Sequence, residues 1–274
     1  MSDRIAYQGE PGANSHIACR LYRSDMEPLA LKTFDQVFKA LENQGAEFAM
    51  IPIENSIAGR VSDIHRLMPV SNLQIIGEYF LKIEHCLIAK KGATLEDLKT
   101  VQSHEMALSQ CRKTIEDLGL DPIVGADTAG SAREISETND RSISAIASPL
   151  AAEIYGLNIL KKNMEDTGKN TTRFLILSKD GKKPKIEEGP AITTIIFKVK
   201  NVPSALYKAL GGFATNGVNM LKLESYQVDG SFQSTQFYAD LEGHNDQESV
   251  KLAIEELSFY SEEVKILGVY PSAR

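Results

Sequence analysis

The sequence contains few cysteines, and their spacing argues against disulfide or metal chemistry. Cys19, Cys86 and Cys111 are odd in number, lie far apart and form no C-x-x-C pair, which is unlike a disulfide framework or a zinc ribbon. The five histidines are never spaced as in H-E-x-x-H. We therefore predict a reduced, cytoplasmic protein without a bound metal or other cofactor.

Long apolar runs and basic clusters are also absent from the sequence. No run approaches ~18 apolar residues, and the initial segment MSDRIAYQGE has no basic region followed by an apolar core. The formal net charge is −7, and no block of Lys and Arg offsets it. These absences argue against export, membrane insertion and a nucleic-acid partner, and the composition is that of an ordinary soluble enzyme.

The 274 residues suit two domains, and a charged segment marks the division between them. The segment SKDGKKPKIEEGP, residues 178–190, contains Gly and Pro and has no apolar periodicity. We predict a first domain at 1–180, a linker at 181–190 and a second domain at 191–274.

Before the linker, short apolar runs alternate with helical patterns, which predicts βαβ units and a mainly parallel sheet covered on both faces. The runs predicted as buried strands are residues 4–7, 48–53, 100–102, 123–126 and 143–147. One predicted helix has an apolar face formed by Leu108, Cys111, Ile115 and Leu118. The stretch 74–90 is too long for one strand, and we expect it to cross between two lobes.

After the linker the pattern changes to a strand, a helix, two strands, a helix and a strand. The predicted elements are strand 193–200, helix 203–215, strands 218–228 and 232–241 around a turn at Asp229-Gly230, helix 247–257 and strand 264–269. This βαββαβ order predicts a ferredoxin-like unit, of the size used by small-molecule regulatory modules.

Polar residues and glycines follow several predicted strands, at the edge where open α/β sheets bind ligands. The residues at three such strand ends are Gly9, Gly12, Asn14 and Ser15, then Ser103, then Asp127 and Thr128. We expect Asn14 or Ser15, and Asp127 or Thr128, to cap the helices that follow. Capping alone explains each residue, whereas several helix starts directed at one cleft suit a ligand with more than one carboxylate.

Two further polar segments adjoin apolar strands. Glu54, Asn55 and Ser56 directly follow the strand 48–53, where a polar turn is one explanation and a binding edge is the other. The segment NTTRF, residues 170–174, opens the last apolar run of the first domain. An ordinary strand start explains that segment when it is taken alone.

Taken in order, these segments resemble the prephenate dehydratase family, and the resemblance covers essentially the whole chain. In the first domain the matching residues are Tyr7-Gln8-Gly9 with Gly12 and Ser15, Pro52-Ile53-Glu54-Asn55-Ser56 with Gly59, Thr128-Ala129 with Ala132, Ala145-Ile146-Ala147-Ser148 through Ala152 to Tyr155-Gly156-Leu157, and Thr172-Arg173-Phe174. In the second domain they are Ala205-Leu206 and Leu223-Glu224-Ser225. The order and spacing of the strings make the resemblance specific.

The resemblance implies a fold and a reaction. The fold is a two-lobed, periplasmic-binding-protein-like catalytic domain followed by a ferredoxin-like ACT domain, in the monofunctional form because no chorismate mutase helix precedes Arg4. The reaction is the loss of water and carbon dioxide from prephenate, giving phenylpyruvate on the route to phenylalanine. Two alternatives stay open: arogenate dehydratase, whose substrate has an ammonium in place of the keto group, and a non-catalytic small-molecule sensor.

The resemblance also implies roles for individual residues. Thr172 is expected to donate a hydrogen bond to the departing hydroxyl, and Glu54 is a candidate source of the proton. Arg173 is expected to bind a carboxylate of the substrate, or else to tie the lobes together through a carboxylate such as that of Asp127. Phe174 is expected to form an apolar wall, because alternation along a strand places 172 and 174 on one face. The other predicted substrate contacts are Gly12, Ser15, Asn55, Ser56, Ser103, Thr128 and Asn170.

For the second domain the resemblance implies inhibition by L-phenylalanine, in a homodimer or homotetramer paired through this domain. The predicted binding residues are Ala205, Leu206, Asn216, Gly217, Val218, Asn219, Leu221, Glu224 and Ser225. Asn216 or Asn219 is expected to bind the ammonium, and Leu206 and Leu221 the ring, although an ordinary core and turn contain the same residue types. The chain departs from the family at Tyr226-Gln227, where Arg-Pro is common.

Overall fold

The computed structural model describes residues 3–61, 64–227 and 235–274. Its strands are β1 Arg4–Gln8, β2 Glu27–Leu31, β3 Phe48–Asn55, β4 Gly59–Arg60, β5 Gln74–Lys82, β6 Cys86–Ala89, β7 Thr100–Ser103, β8 Asp121–Val124, β9 Ile143–Ala147, β10 Asn158–Lys161, β11 Thr171–Ser178, β12 Ala191–Val199, β13 Met220–Gln227, β14 Thr235–Glu242 and β15 Ser261–Pro271. Its α-helices are α1 Asn14–Tyr22, α2 Phe34–Glu42, α3 Ile64–Leu67, α4 Glu105–Gln110, α5 Arg112–Asp117, α6 Thr128–Glu137, α7 Pro149–Ile154, α8 Ala205–Thr215 and α9 Glu248–Phe259.

The chain forms two compact units whose segments alternate along the sequence. The first unit consists of Met1–Val37, Met50–Val61 and Phe80–Phe174. The second consists of Phe38–Ala49, Ser62–Tyr79 and Leu175–Arg274. The second unit therefore includes two segments from the first third of the chain.

One sheet of the first unit has the strand order β10-β6-β9-β7-β8. β7 is parallel to β8 and β9, whereas β6 is antiparallel to both β9 and β10. Alternate residues along β6 face two apolar cores, because Leu87 packs with Leu108 on one side and Ile88 with Ile135 on the other. The predicted α/β layer with two covered faces is confirmed, with β6 and β10 added to its parallel part through antiparallel pairing.

The other strands of the first unit follow the order β11-β3-β1-β2. β1 and β2 are parallel from Arg4↔Glu27 to Gln8↔Leu31, the pairing expected of a β-α-β unit through α1. β3 turns back into β4, with Glu54 opposite Arg60. The long stretch 74–90 divides into β5 and β6, which belong to different sheets, so the predicted crossing is confirmed.

Two elements of the first unit differ from the sequence prediction. The strand predicted as buried at 123–126 is β8, whose four residues are all exposed, because it is the edge strand of its sheet. The single helix predicted across Cys111 is broken there into α4 and α5. Asp166 explains the break, since its carboxylate accepts two main-chain N–H groups of α5 at 3.0 and 3.1 Å and so begins a new helix.

The second unit contains the order β12-α8-β13-β14-α9-β15. These strands are antiparallel in the order β13-β14-β12-β15, and α8 and α9 pack on them through a core that includes Phe197, Phe213 and Leu257. The predicted ferredoxin-like unit is confirmed, and the turn predicted at Asp229-Gly230 lies outside the described residues. Helix α8 begins two residues later than predicted, because Ser204 has a left-handed backbone with φ 62°.

We expect Gly268→Ala to destabilise the second unit. Gly268 of β15 pairs with Ile75 of β5, and a Cβ on Gly268 would lie 2.1 Å from the carbonyl oxygen of Ile75. The strands must then move apart, and the free energy of unfolding should fall by about 1–3 kcal/mol, the usual cost of overpacking. Gly211→Ala in α8 is the matched control, since a Cβ there meets nothing within 4 Å and alanine favours a helix. Urea denaturation measures both variants, and equal stabilities would contradict the expectation.

Candidate active site

A pocket in the first unit gathers polar side chains from both of its sheets. Its volume is about 240 Å³. The polar residues that line it are Asn14, Asn55, His85, His104, Gln110, Asp127, Thr128, Asn170 and Thr172. Four of the predicted catalytic and substrate-binding residues are therefore brought together, namely Asn55, Thr128, Asn170 and Thr172.

Asn55, the last residue of β3, is held in one orientation by the main chain. Its Oδ1 accepts the N–H groups of Ile57 and Ala58 at 3.0 and 2.9 Å. Because a main-chain N–H only donates, the side-chain oxygen must face these two groups. The amide nitrogen then donates to Oδ1 of Asn170 at 2.7 Å and to Oγ1 of Thr172 at 3.0 Å.

The network continues from Asn170 into the other sheet. Asn170 is 1% exposed, and its Nδ2 donates to Oε1 of Gln110 at 2.8 Å. Nε2 of His85, which is also buried, lies 2.9 Å from the same oxygen. A continuous hydrogen-bonded path thus joins Thr172 to His85 along the pocket.

Thr172 presents a donor to the pocket. A hydroxyl has one hydrogen and two lone pairs, and its Oγ1 already accepts from Asn55. Within the described part of the chain, no protein acceptor takes the hydroxyl hydrogen. The side chain is half-buried and lines the pocket, so the O–H group is available to a bound molecule.

The other two residues of the Thr-Arg-Phe segment do not line the pocket. Arg173 is 2% exposed, and its Nη1 lies 3.1 Å from Oε1 of Glu54. This partly buried ion pair joins β11 to β3. The alternative pair with Asp127 does not form, because Asp127 caps α6 instead. Phe174 is 1% exposed and belongs to the core, since β11 enters the interior directly after Thr172.

Two predicted serines bond to the main chain and do not line the pocket. Ser56 Oγ donates to the carbonyl of Lys169 at 2.7 Å and accepts the N–H of Thr171 at 3.0 Å, which joins the two polar segments. Ser103 is fully buried and donates to the carbonyl of Ile146 at 2.6 Å. It therefore ties β7 to β9.

Gly12 and Ser15 lie at the start of α1 and also do not line the pocket. Gly12 has φ +93°, and a Cβ there would lie 2.7 Å from the main chain of α7, so glycine is required. Its N–H donates to Nδ1 of His16 at 3.1 Å, and burial lowers the pKa of His16, which keeps that nitrogen an acceptor. The prediction that Asn14 or Ser15 caps α1 is wrong, since Ala13 occupies the N-cap without a side-chain bond.

Helix α6 begins at the pocket. Asp127 is its N-cap, one of the two residues predicted for that position, and accepts the N–H of Gly130 at 2.6 Å. Thr128, the first helical residue, lines the pocket. The N-terminal N–H groups of a ten-residue helix favour an anion, so this side of the pocket suits a carboxylate.

Five polar residues of the pocket were not predicted as site residues, namely Asn14 and Asp127, which were named only as helix caps or an ion-pair partner, and His85, His104 and Gln110. His104 directly follows β7, so the strand-end rule that selected Ser103 also selects it. Its Nδ1 accepts the N–H of Met106 at 3.2 Å and caps α4. Gln110 ends α4 only because the helix breaks at the next residue, and His85 follows the crossing between the sheets. No local pattern in the sequence marks these last two positions.

A larger cavity, of about 790 Å³, lies beside α1. It shares Asn14 with the pocket and combines apolar walls, such as Leu81 and Leu150, with charged groups such as Arg20 and Lys82. It contains none of the predicted catalytic or substrate-binding residues. We therefore place the candidate active site in the smaller pocket, where the hydrogen-bonded network lies.

The described residues offer no group of three His, Cys, Asp or Glu side chains suited to a metal ion. Burial raises the pKa of Cys111, which follows Gln110 in sequence, so its thiol is protonated at neutral pH. Among the helices in the described ranges, none is long and apolar enough to cross a membrane.

The residues predicted to bind L-phenylalanine lie in the second unit, at both ends of α8 and on β13. Ala205 and Leu206 line a cavity of about 380 Å³ at the start of α8. At the other end, Asn216 Nδ2 donates to the carbonyl of Gly212 at 2.7 Å and to Glu256 at 2.9 Å. Asn219, Gly217, Val218 and Leu221 follow Asn216, and Nδ2 of Asn219 donates to Glu242 at 2.9 Å. An 11-residue helix is about 16 Å long, so one small ligand cannot contact both ends within one chain.

On β13, Glu224 lies between two basic side chains. Its carboxylate is 3.2 Å from Nε2 of His65 and 2.8 Å from Nζ of Lys222. The first contact lacks hydrogen-bond geometry, and it is an ion pair only when His65 is protonated. The ring of Tyr226 lies 5.2 Å from that of His65. Tyr226, which replaces the arginine common in the family, therefore packs against His65. Ser225, between them, is exposed.

Comparisons with known proteins place the chain in a family. A family model described as prephenate dehydratase matches residues 5–182. A protein of Komagataeibacter europaeus, named a bifunctional N-acyl-homoserine lactone acylase/prephenate dehydratase, is 49% identical over 272 residues, which are 98% of this chain and 96% of that protein.

Two more distant proteins cover nearly the same part of the chain. An Arabidopsis thaliana protein, named arogenate dehydratase/prephenate dehydratase 2, chloroplastic, is 37% identical over 279 residues, covering 98% of this chain and 72% of that protein. A crystal structure of prephenate dehydratase in complex with L-Phe, from Arthrobacter aurescens, has a TM-score of 0.90 at 28% identity, covering 98% of this chain and 90% of that one.

We expect Glu224 to stabilise the protein above about pH 4.5 and to lose this effect in acid. The contact with His65, and then that with Lys222, lowers the pKa of the Glu224 carboxyl from 4.5 to about 2. A lowered folded-state pKa stabilises the ionised protein by up to roughly 3 kcal/mol, and this is lost as the pH falls from about 4.5 to about 2. Urea denaturation should therefore show Glu224→Gln less stable than the wild type at pH 7 and similar to it near pH 2. Glu255→Gln on α9 is the control, and a pH-independent deficit in Glu224→Gln would contradict this account.

Proposed function

Because the chain belongs to the prephenate dehydratase family, we propose that it converts prephenate into phenylpyruvate, water and carbon dioxide. The family reaction is a dehydration, which makes the protein a lyase. The observation that carries the proposal is the hydroxyl of Thr172, which lines the pocket while its oxygen accepts from Asn55 at 3.0 Å.

The difficult step of this reaction is the departure of hydroxide. Prephenate carries a ring carboxylate, a pyruvyl side chain with a second carboxylate, and a ring hydroxyl opposite the first carboxylate. When the C–C bond to the ring carboxylate breaks, carbon dioxide leaves and the electron pair enters the ring. The C–O bond breaks at the opposite carbon, and the oxygen leaves with its electron pair and takes a proton to form water. Aromatisation drives the change, so stabilising the leaving oxygen controls the rate.

We assign that stabilisation to the O–H group of Thr172. Asn55 donates to the same oxygen, which fixes the hydroxyl and strengthens it as a donor. Threonine does not titrate near neutral pH, so Thr172 acts as a donor or as a relay for a proton. Glu54 was a candidate proton source, but its carboxylate pairs with Arg173. We therefore give that pair a supporting role, since it joins the strands that carry Asn55 and Thr172.

The two substrate carboxylates require donors on other sides of the pocket. We propose that Thr128 and the first N–H groups of α6 bind one of them, together with the amide of Asn14. Gly12, Ser15, Ser56 and Ser103 then shape the surrounding main chain without contacting substrate. Asn170 holds Asn55 in place through Oδ1.

We further propose that residues 1–180 are the catalytic domain and 191–274 an ACT regulatory domain, with 181–190 as the linker. The family match ends at residue 182, and the βαββαβ unit begins at Ala191. L-Phe is named in the related Arthrobacter aurescens complex, which supports L-phenylalanine as the regulatory ligand here.

The length of α8 favours a regulatory site shared by two chains. Its ends are about 16 Å apart, so Ala205 and Leu206 of one chain and the turn after Asn216 of another are needed to surround one amino acid. We propose a homodimer or homotetramer paired through this domain. Binding would then favour one arrangement of the subunits, in which the catalytic pocket is less active.

Two other activities have specific support. The Arabidopsis thaliana relative is named for arogenate as well as prephenate, and the two substrates differ only at the side-chain ammonium or keto group. The Komagataeibacter europaeus relative is named for an acylase activity, and the apolar walls of the 790 Å³ cavity beside α1 suit an acyl chain. Assays with arogenate and with an N-acyl-homoserine lactone therefore accompany the prephenate assay.

We expect the purified protein to form phenylpyruvate from prephenate at neutral pH without added metal or nucleotide. Thr172→Val keeps the shape and removes the donor, so substrate should still bind while turnover falls roughly a hundred- to a thousandfold, as for other lost donors to developing charge. Thr171→Val is the matched control, because only the main chain of Thr171 is bonded to Ser56. No turnover by the wild type rejects the proposed function, and near-normal turnover by Thr172→Val removes that residue from the mechanism.

We expect L-phenylalanine to bind the full chain and to reduce prephenate turnover. Leu206→Ala removes apolar surface from the proposed site, so the dissociation constant for L-phenylalanine should rise about tenfold. A tenfold change corresponds to part of the free energy gained by burying a leucine side chain. Leu252→Ala, on the exposed side of α9, should bind normally. Titration calorimetry with inhibition assays measures all three proteins. An enzyme indifferent to saturating L-phenylalanine would show that this unit has another role.

A further inference from the structure

His85 has no role in the function proposed above, yet it is the last member of the hydrogen-bonded network in the pocket. It is 4% exposed. Its main-chain N–H donates to Oε2 of Glu165 at 3.0 Å, and its carbonyl accepts the N–H of Met164 at 2.9 Å. Hydrogen bonds therefore fix the main chain of His85 at both its N–H and its carbonyl group.

The direction of every hydrogen bond in the network follows from the main-chain N–H groups of Ile57 and Ala58, at which the network begins. Asn55 must accept from Ile57 and Ala58 through its oxygen, so its nitrogen donates to Oδ1 of Asn170. Nδ2 of Asn170 then donates to Oε1 of Gln110. At no step can an amide be reversed without placing two donors or two acceptors face to face.

This direction determines which nitrogen of His85 carries a hydrogen. Nε2 lies 2.9 Å from Oε1 of Gln110, and that oxygen is only an acceptor. Nε2 must therefore be protonated, whether the ring is neutral or charged. Oε1 of Gln110 thus receives two hydrogen bonds, one from Asn170 and one from His85.

The same arrangement leaves the amino group of Gln110 for the pocket. Gln110 lines the pocket, and among the described residues its Nε2 has no protein acceptor. The network therefore ends in two donors, the O–H of Thr172 and the N–H groups of Gln110. These are the groups needed by a substrate with a leaving oxygen and two carboxylates.

We propose that His85 is a positioning residue, whose Nε2–H fixes the side-chain amide of Gln110 so that its amino group binds a carboxylate of the substrate. The proposal rests on the proposed dehydratase function. Without His85, a single bond from Asn170 holds the Gln110 oxygen, and the amide turns more freely. The binding of substrate carboxylate is lost in the ground state and the transition state alike.

The kinetic test compares two substitutions of His85. His85→Leu removes the donor, and kcat/KM should fall roughly tenfold, mainly through a higher KM, as for one lost hydrogen bond that is made equally in both states. His85→Gln places an amide N–H near the position of Nε2 and should recover most of this loss. Loss of less than twofold in His85→Leu, or no recovery in His85→Gln at normal thermal stability, would overturn the proposal.

A double-mutant cycle separates positioning from a general structural effect. If His85 acts only through Gln110, His85→Leu should cost little more in a protein that already carries Gln110→Leu. A full tenfold further loss in that background would show that His85 acts independently of Gln110 and would overturn the proposal.

A third readout does not depend on turnover. Nitrogen-15 NMR of the imidazole of the free protein should show Nε2 of His85 protonated, and the Gln110→Leu variant should no longer favour that nitrogen. A neutral ring protonated only at Nδ1 would overturn the proposal even in an active dehydratase. An inactive wild type with the expected tautomer would reject the proposed function and leave the orientation of Gln110 confirmed.

Discussion

The N–H groups of Ile57 and Ala58 set the polarity of the candidate active site. They are the only members of the network that have no alternative orientation, and they bind the oxygen of Asn55 at 3.0 and 2.9 Å. Each later member, from Asn170 to Gln110 and His85, takes the direction that the previous one leaves to it. A turn of the main chain after β3 therefore decides that the pocket presents donors to its ligand, and donors suit a dianion.

The pair formed by the buried Arg173 and the half-buried Glu54 holds this turn beside the start of β11. An arginine that is 2% exposed is very costly without a partner, so the pair specifies how β11 and β3 meet. Asn55 and Thr172 are the neighbours of these charged residues in sequence, and they reach each other at 3.0 Å. Arg173 thus contributes to the site indirectly, by fixing the strands that carry Asn55 and Thr172. The hydroxyl of Thr172, one residue earlier, lines the pocket itself.

The sequence allows prediction of those site residues that follow strands directly. Asn55 and Thr128 were found because the rule for strand ends in α/β sheets depends only on local pattern, whereas Asn170 and Thr172 stand at the start of β11 and were selected by the resemblance to the family. Gln110 was missed because a carboxylate 56 residues later in the sequence, that of Asp166, ends its helix by beginning the next one. Ser103 was chosen in place of His104, since the pattern locates the end of β7 but not which side chain turns toward its neighbouring strand. The fold class was predictable because apolar periodicity is repeated in most of the elements, whereas the site depends on single long-range contacts.

Segments of the second unit are joined directly in sequence to the segment that carries Asn55 of the candidate active site. The segment Met50–Val61, which carries Asn55, is preceded by Phe38–Ala49 and followed by Ser62–Tyr79, and both flanking segments belong to the second unit. His65 lies ten residues after Asn55 and contacts Glu224 on β13, one of the residues proposed for the regulatory site. A ligand that displaces β13 must therefore alter the surroundings of His65 or break a buried contact. The orientation of Asn55 depends on the main-chain N–H groups of Ile57 and Ala58, so the candidate site and the unit that contains His65 share one continuous stretch of sequence.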